Sequence, residues 1–259
     1  MQTELDVTLP FSLVQAGPAI EQLQGGADFL EGRGGQSISN NGPLSSDLYK
    51  IMEGAAYSLM LRPDPELEAK MDSLIDIIGR AQQKDGYLFV CHTCGCFDPF
   101  WVGDKPYSKV VYSHELYNVG HLYEAAAAYY QATGKRTLLD IAIKNARHVN
   151  RVFFEGDPAY NDGKPVMQAP GHEEIELALC KLYRVTGDRL YLDMAKKFLD
   201  IRGVTYRPEG EGFMSPFYAQ QHAPVAEQTE PVGHAVRAVY LYTAMAMVDA
   251  LTGERHYAK

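Results

Sequence analysis

Three histidines stand in the same kind of sequence setting. Ser113-His114-Glu115-Leu116-Tyr117, Gly171-His172-Glu173-Glu174-Ile175 and Gly233-His234-Ala235-Val236-Arg237 each open a stretch whose apolar residues recur at spacings of three and four. A fourth such stretch opens on Ser46-Asp47-Leu48-Tyr49. Imidazole can donate and accept hydrogen bonds, and a helix start adds free amide donors and positive partial charge. Gathered at one mouth, such groups suit a ligand rich in hydroxyls. A single histidine there reads more simply as a cap or a packing residue. Three at one equivalent position read as a binding site. The intervening segments add Phe100, Trp101, Tyr107, Phe217 and Tyr218, flat apolar faces on which a sugar ring can stack.

Helices must position these side chains, and the periodicity predicts them over about 47–61, 65–85, 113–133, 136–153, 172–185, 189–202 and 232–251. Ser113 is a plausible cap for the third, and Asp64-Pro65 is a cap followed by proline at the first helical position. Thr-Gly turns at 133–134, 186–187 and 252–253 close successive helices. They recur at intervals of roughly 50 to 70 residues, longer than the 34 to 47 of tetratricopeptide or HEAT repeats. Each unit is a helix, a short glycine turn, a second helix and a long return loop, which makes an αα-hairpin. The expected class is therefore all-α, an αα-hairpin repeat forming part of a toroidal (α/α) barrel. With the first helix of each hairpin inside the ring, Asp47, His114, His172 and His234 would line one rim.

Residues 1–46 are expected as an N-terminal extended and loop segment. Weak alternation over 1–15 suits a strand, and the Gly-, Ser- and Asn-rich stretch 16–46 suits loop with at most one short helix. The glycines at 25, 26, 34 and 35 make no phosphate cradle, since no Gly-Lys-Ser/Thr follows them. Residues 47–259 would then be the N-terminal portion of the barrel domain, incomplete by itself.

Composition narrows the function. A net charge of −9 with no Lys/Arg cluster among aromatics argues against nucleic-acid binding. No apolar run approaches the roughly 20 residues that a membrane helix needs. Four cysteines in 259 residues are too few for a disulfide scaffold, so a reducing, cytoplasmic setting is expected. Cys91, Cys94 and Cys96 form C-x-x-C-x-C without the second separated ligand pair that a structural zinc uses, and read as loop cysteines. Metal at the histidine rim is disfavoured too, because zinc needs ligands at about 2.0–2.1 Å and ring-related helix starts stand further apart. Cys180 reads as core, His121 as a hydrogen-bonded core residue, and Glu173, Glu174 and Glu176 as acids favoured by the helix dipole.

Taken together, the three histidine motifs, with Gly120-His121 and Glu176-Leu177-Ala178-Leu179, resemble the catalytic domain of glycoside hydrolase family 127, the β-L-arabinofuranosidases. Ser46-Asp47-Leu48-Tyr49-Lys50, Asp64-Pro65-Glu66-Leu67, Ala81-Gln82-Gln83-Lys84-Asp85-Gly86-Tyr87-Leu88 and Pro224-Val225-Ala226-Glu227-Gln228 add to the match, which runs in order over about residues 45 to 259. The resemblance implies an (α/α)6 barrel and release of L-arabinofuranose with retention. It implies a cysteine nucleophile held on zinc by a glutamate and further cysteines, and a separate glutamate as acid/base. It assigns the positions of His114, His172 and His234 to contact with the arabinose. The family's acid/base, zinc ligands and Cys-Cys pair match nothing in this sequence, Ser45 stands where many members have Asp, and the cysteine-rich loop is atypical. The expectation is a chain that carries part of the sugar-binding rim, is inactive alone, binds no zinc itself and leaves apolar helix faces uncovered. Two alternatives stand beside it. One is a two-carboxylate glycosidase using Glu115 or Glu227 with Asp47. The other is a non-catalytic sugar-binding (α/α) module.

Overall fold

The computed structural model describes residues 7–34, 45–95, 99–206 and 215–257, and among these it is helical throughout with no strand. Eleven α-helices follow in order: α1 (Leu9–Gln15), α2 (Gly17–Leu30), α3 (Ser45–Leu61), α4 (Pro65–Ala81), α5 (Val90–Cys94), α6 (Pro99–Val102), α7 (Glu115–Thr133), α8 (Thr137–Asn150), α9 (Ile175–Thr186), α10 (Arg189–Ile201) and α11 (Ala235–Thr252). They fall into two compact units, residues 1–100 with 121–148, and residues 101–120 with 149–259. None of the described helices is long and apolar enough to cross a membrane.

Local chemistry sets the helix ends where the sequence predicts them. The Asp64 carboxylate accepts from the amides of Glu66 and Leu67 at 3.2 and 3.0 Å, and Pro65 fills the first position, which needs no donor. Asp188 starts α10 the same way through Leu190 N, 3.1 Å away. Gly187 and Gly253 end α9 and α11 in the left-handed region, φ 72° and 75°, where a Cβ would be strained. The three-residue connections 62–64 and 134–136 in the first unit, and the two-residue connection 187–188 in the second, fold each helix back on the one before it.

The N-terminal expectation is corrected. Residues 9–15 and 17–30 are helices, not strand and loop. Pro10 and Pro18 sit in the first turns, where proline is tolerated. Of the glycines read as loop, Gly25 and Gly26 lie in the interior of α2, where a Cβ at Gly26 would lie 2.6 Å from Cγ1 of Val90 on α5, while Gly34 follows the helix as expected and Gly35 lies outside the described residues. In the first unit α2 packs on α3, α4 and α5, and α1 packs on α3. The loop predicted over 87–112 likewise holds two short helices. Its Cys91 and Cys94 are buried in α5 rather than displayed on a loop, and Cys96 lies outside the described residues.

The turn after α4 is tied to α8 by buried polar groups. Asn145 Nδ2 donates to Gly86 O at 2.9 Å, and Tyr123 O–H of α7 donates to Asn145 Oδ1 at 2.6 Å. His121 is buried, with Nδ1 3.2 Å from Glu124, and burial holds its pKa below the ordinary range. In the second unit α9 packs on α10 and α11, and its Ile175, Ala178, Leu179 and Leu182 are wholly buried.

Replacing Gly26 by Ala separates two opposing effects. Alanine gains about 1 kcal/mol in a helix interior, but overpacking costs about 1–3 kcal/mol. The expected outcome in urea denaturation is a net loss of stability, largely recovered in the double variant Gly26→Ala/Val90→Ala. A gain for the single variant would show that α2 and α5 do not pack as closely as described.

Candidate functional site

All three motif histidines lie in the second unit, yet the backbone presents them in three ways. His234 is the N-cap of α11, and its Nδ1 accepts from Arg237 N at 3.5 Å. His114 immediately precedes α7 with φ 57°, an uncommon conformation for a residue with a Cβ. Ser113 supports this start, its Oγ 3.4 Å from Glu115 N. His172 is not in a first helical turn, since α9 begins only at Ile175. The expected equivalence of the three positions thus fails in the backbone.

Tautomers follow from the partners. Nδ1 of His114 lies 2.7 Å from Tyr112 O, and Nδ1 of His172 lies 2.7 Å from Glu173 O. A carbonyl only accepts, so both rings carry the proton on Nδ1 and keep Nε2 as an acceptor. For His234 the assignment reverses, because Nδ1 accepts and the neutral ring carries its proton on Nε2. Burial, aided by the positive charge of Arg237, pulls the His172 pKa down to about 3. That ring is neutral across the physiological range.

Aromatic rings surround these groups. The centroids of His114 and His172 are 5.9 Å apart, and Tyr117 lies 5.6 Å from the first and 4.3 Å from the second. Tyr240 of α11 is 5.6 Å from His172. Tyr218 lies 5.0 Å from His234, and the Arg237 guanidinium sits 4.7 Å above the Tyr218 ring, a cation–π contact. Arg237 Nη1 also donates to the carbonyl of Gly171, next to His172. Two glycines allow this crowding through their missing Cβ. One at Gly120 would lie 2.5 Å from Glu174 Cγ, and one at Gly233 would collide with the carbonyl of Phe217.

Beneath the rings lies a buried charge cluster. Arg202, entirely buried, places Nη1 3.0 Å from Glu173 Oε1 and Nη2 2.8 Å from Glu176 Oε1, and donates to Ala219 O at 3.0 Å. Glu176 Oε2 in turn accepts from Glu174 N at 3.1 Å. Burial pushes the Glu173 carboxyl up to about 8, against the pull of Arg202 and with the push of Glu176. These three glutamates do more than favour a helix dipole.

Other expected residues fall elsewhere. Asp47 is exposed in the first turn of α3, in the first unit. Tyr107 is buried against Phe153 at 5.1 Å, and its N–H lies 3.1 Å from both oxygens of Glu115, which also accepts from Ser113 Oγ at 2.8 Å. Glu115 is therefore occupied in holding the loop 107–113. Glu227 is exposed on a single 3-10 turn, Val225–Glu227. Phe100 and Trp101 are exposed, and Phe217 stacks on His222 at 4.9 Å. Tyr117, Arg237 and Tyr240 were not among the expected site residues. Their signal was present: Tyr117 follows His114 by three, and Arg237 follows His234 by three, a spacing that shares a helical face. The first unit also carries a cavity of about 490 Å³ lined by Asp72, Arg80 and Lys135 among others. Its cations are already paired, Lys135 with Glu68 and Asp72 and Arg80 with Asp76.

The Glu173 carboxyl gives a pH test. Its pKa when folded, about 8, lies above the ordinary 4.5. Its contribution to stability is full below about 4.5 and is lost as pH rises through about 8. The unmodified chain is expected to lose melting temperature between pH 5 and 9 more steeply than Glu173→Gln, which stays neutral throughout. Parallel curves would show that Glu173 is ionised over this whole range.

Known proteins resemble this chain over most of its length. The family profile for the β-L-arabinofuranosidase GH127 catalytic domain matches residues 26–259. A non-reducing end β-L-arabinofuranosidase from Bifidobacterium longum subsp. longum is 40% identical over 224 residues, which cover 81% of this chain and 33% of that protein. Among solved structures, a GH127 β-arabinofuranosidase superposes with a TM-score of 0.86 at 41% identity, covering 99% of this chain and 38% of that one. A GH127 β-L-arabinofuranosidase from Geobacillus stearothermophilus T6 gives 0.85 at 36% identity, with 99% and 41% covered. The chain thus spans a third of the length of the curated relative it matches. It belongs to glycoside hydrolase family 127, within the catalytic domain.

Proposed function

We propose that this chain carries the sugar-recognition side of a β-L-arabinofuranosidase-type glycoside hydrolase, and that hydrolysis of arabinofuranosyl glycans with retention is the work of the whole protein. One observation carries the reading: three imidazoles of fixed tautomer, two offering an Nε2 acceptor and one an Nε2 donor, gathered among tyrosines. A pentose presents hydroxyls that donate and accept at fixed angles, with C–H faces that suit aromatic rings. In this reading His114 and His172 accept from two sugar hydroxyls, His234 donates to a third oxygen, and Tyr117, Tyr218 and Tyr240 pack against the ring. The names of the relatives support L-arabinofuranose as the sugar.

Zinc, which the family resemblance implies for the full-length protein, would there hold a cysteine as the thiolate nucleophile. The second unit's single cysteine does not fit that role. Cys180 is wholly buried in α9, and burial pushes its thiol up to about 12, so it stays protonated. No step is assigned to zinc on these residues. The toroidal (α/α)6 barrel is part of the same proposal, supported by the hairpins and the likeness to the solved relatives. A reducing, cytoplasmic setting is proposed as well, supported by the low cysteine content, four in 259 residues.

Titration of the ¹⁵N-labelled chain with L-arabinose tests the reading. Millimolar binding is expected, on the order of −4 kcal/mol, shifting the His114, His172 and His234 ring signals and lost in His172→Ala. The chain alone is expected to release no 4-nitrophenol from its β-L-arabinofuranoside. Shifts confined to other residues would overturn the sugar site, and turnover would overturn the division of labour.

A further inference from the structure

We propose that Arg202 is a positioning residue that sets the ring of His172 and the seat of Tyr218 without touching the ligand. Three contacts carry this. The guanidinium reaches Glu173 Oε1 at 3.0 Å, Glu176 Oε1 at 2.8 Å and the carbonyl of Ala219 at 3.0 Å. Glu173 is also the residue whose backbone carbonyl receives the Nδ1 proton of His172. Fixing the Glu173 side chain therefore fixes the peptide that dictates the His172 tautomer. Ala219 is the neighbour of Tyr218, the ring that packs on His234 and under Arg237.

The arrangement is specific to arginine. Two hydrogen-bond acceptors on separate segments, Glu176 Oε1 and Ala219 O, with Glu173 beside them, suit a planar fork of donors, and lysine offers a point charge that cannot reach both at these angles. The cluster is also closed to solvent, since Arg202, Glu173 and Glu176 are all fully buried. Water cannot replace a lost contact there. Arg237 holds the Gly171 carbonyl, on the opposite side of His172 in sequence. Arg237 and Arg202 thus hold the two flanks of one histidine.

This inference depends on the proposed sugar reading only for its effect on binding, because ring orientation is measured without sugar. The test is long-range ¹H–¹⁵N correlation of the imidazole nitrogens at pH 7 in the unmodified chain, Arg202→Lys and Arg202→Met. The expected result is a single Nδ1-protonated form of His172 in the unmodified chain and averaging of its two nitrogens in both variants. His234 should keep its Nε2-protonated form in all three and serves as the internal control. Arabinose affinity should fall roughly tenfold, about one well-oriented hydrogen bond. Lysine keeps a positive charge among the carboxylates, so Arg202→Lys decides the matter if Arg202→Met does not fold. A folded Arg202→Lys chain with the His172 tautomer unmoved overturns the proposal, whatever happens to its melting temperature. If His172 is released in the variant while the unmodified chain binds no arabinose, the positioning role stands and the sugar reading falls.

Discussion

A guanidinium removed from water loses several kcal/mol of hydration, and the loss is recovered only where carboxylates and carbonyls replace the solvent in good geometry. Arg202 meets that condition with the Glu176 carboxylate and the Ala219 carbonyl, and Glu173 lies 3.0 Å away, all buried with it. Breaking such a cluster by removing one partner typically costs about 3–5 kcal/mol, a large part of any domain's net stability. The partners of Arg202 belong to the turn before α9, the first turn of α9 and the loop before α11. The charge cluster therefore does what a strand would do in another fold: it makes irregular backbone rigid.

Rigidity matters here because a histidine is useful to a sugar only when its tautomer is settled. A ring free to exchange its proton between nitrogens offers a mixture of donor and acceptor. His114 and His172 are settled by carbonyls 2.7 Å from Nδ1, and His234 by the amide at the start of α11. Neutrality is the second requirement, since a charged imidazole has no acceptor. Burial provides it for His172, and the positive Arg237 nearby acts in the same direction. The same arginine then anchors Gly171 and lies over Tyr218, so one side chain contributes to charge state, backbone position and ring packing.

Much of this was legible from the chain alone. Helices α3, α4 and α7 to α11 follow from apolar spacing, and several of their ends from Asp64-Pro65 and the Thr-Gly turns. The histidines were legible as a repeated motif. What escaped has physical causes. Gly25 and Gly26 look like loop because glycine is a poor helix former, and only the neighbour Val90 reveals that the missing side chain is what α2 requires. The backbone of His172 escaped because Glu173 and Glu174 resemble a first helical turn, whereas the helix starts only at Ile175, three residues later than expected. Arg202 carried no local signal at all. It ends a helix of ordinary amphipathic pattern, and its partners lie 26 and 17 residues away along the chain.

Helix α11 bears on how far the ring reading can be taken. Its sequence is apolar on nearly every side, with Asp249 and the buried Arg237 as its only charges. Helices of that kind are normally enclosed all round, because a surface helix needs a polar face. One side of α11 is enclosed: Ala238, Leu241, Ala244 and Val248 are buried, and α9 and α10 pack against the helix. On the other side Val236 and Val239 are 51% and 63% exposed, with Tyr242 beside them. An inner helix of a closed ring would need cover on that second side as well. The relatives are about two and a half to three times as long as the stretch this chain matches, on the order of several further domains' worth of length, so polypeptide enough to provide it is present in them. The exposed row on α11 is thus an apolar stripe at a place where a helix facing water ordinarily carries charge.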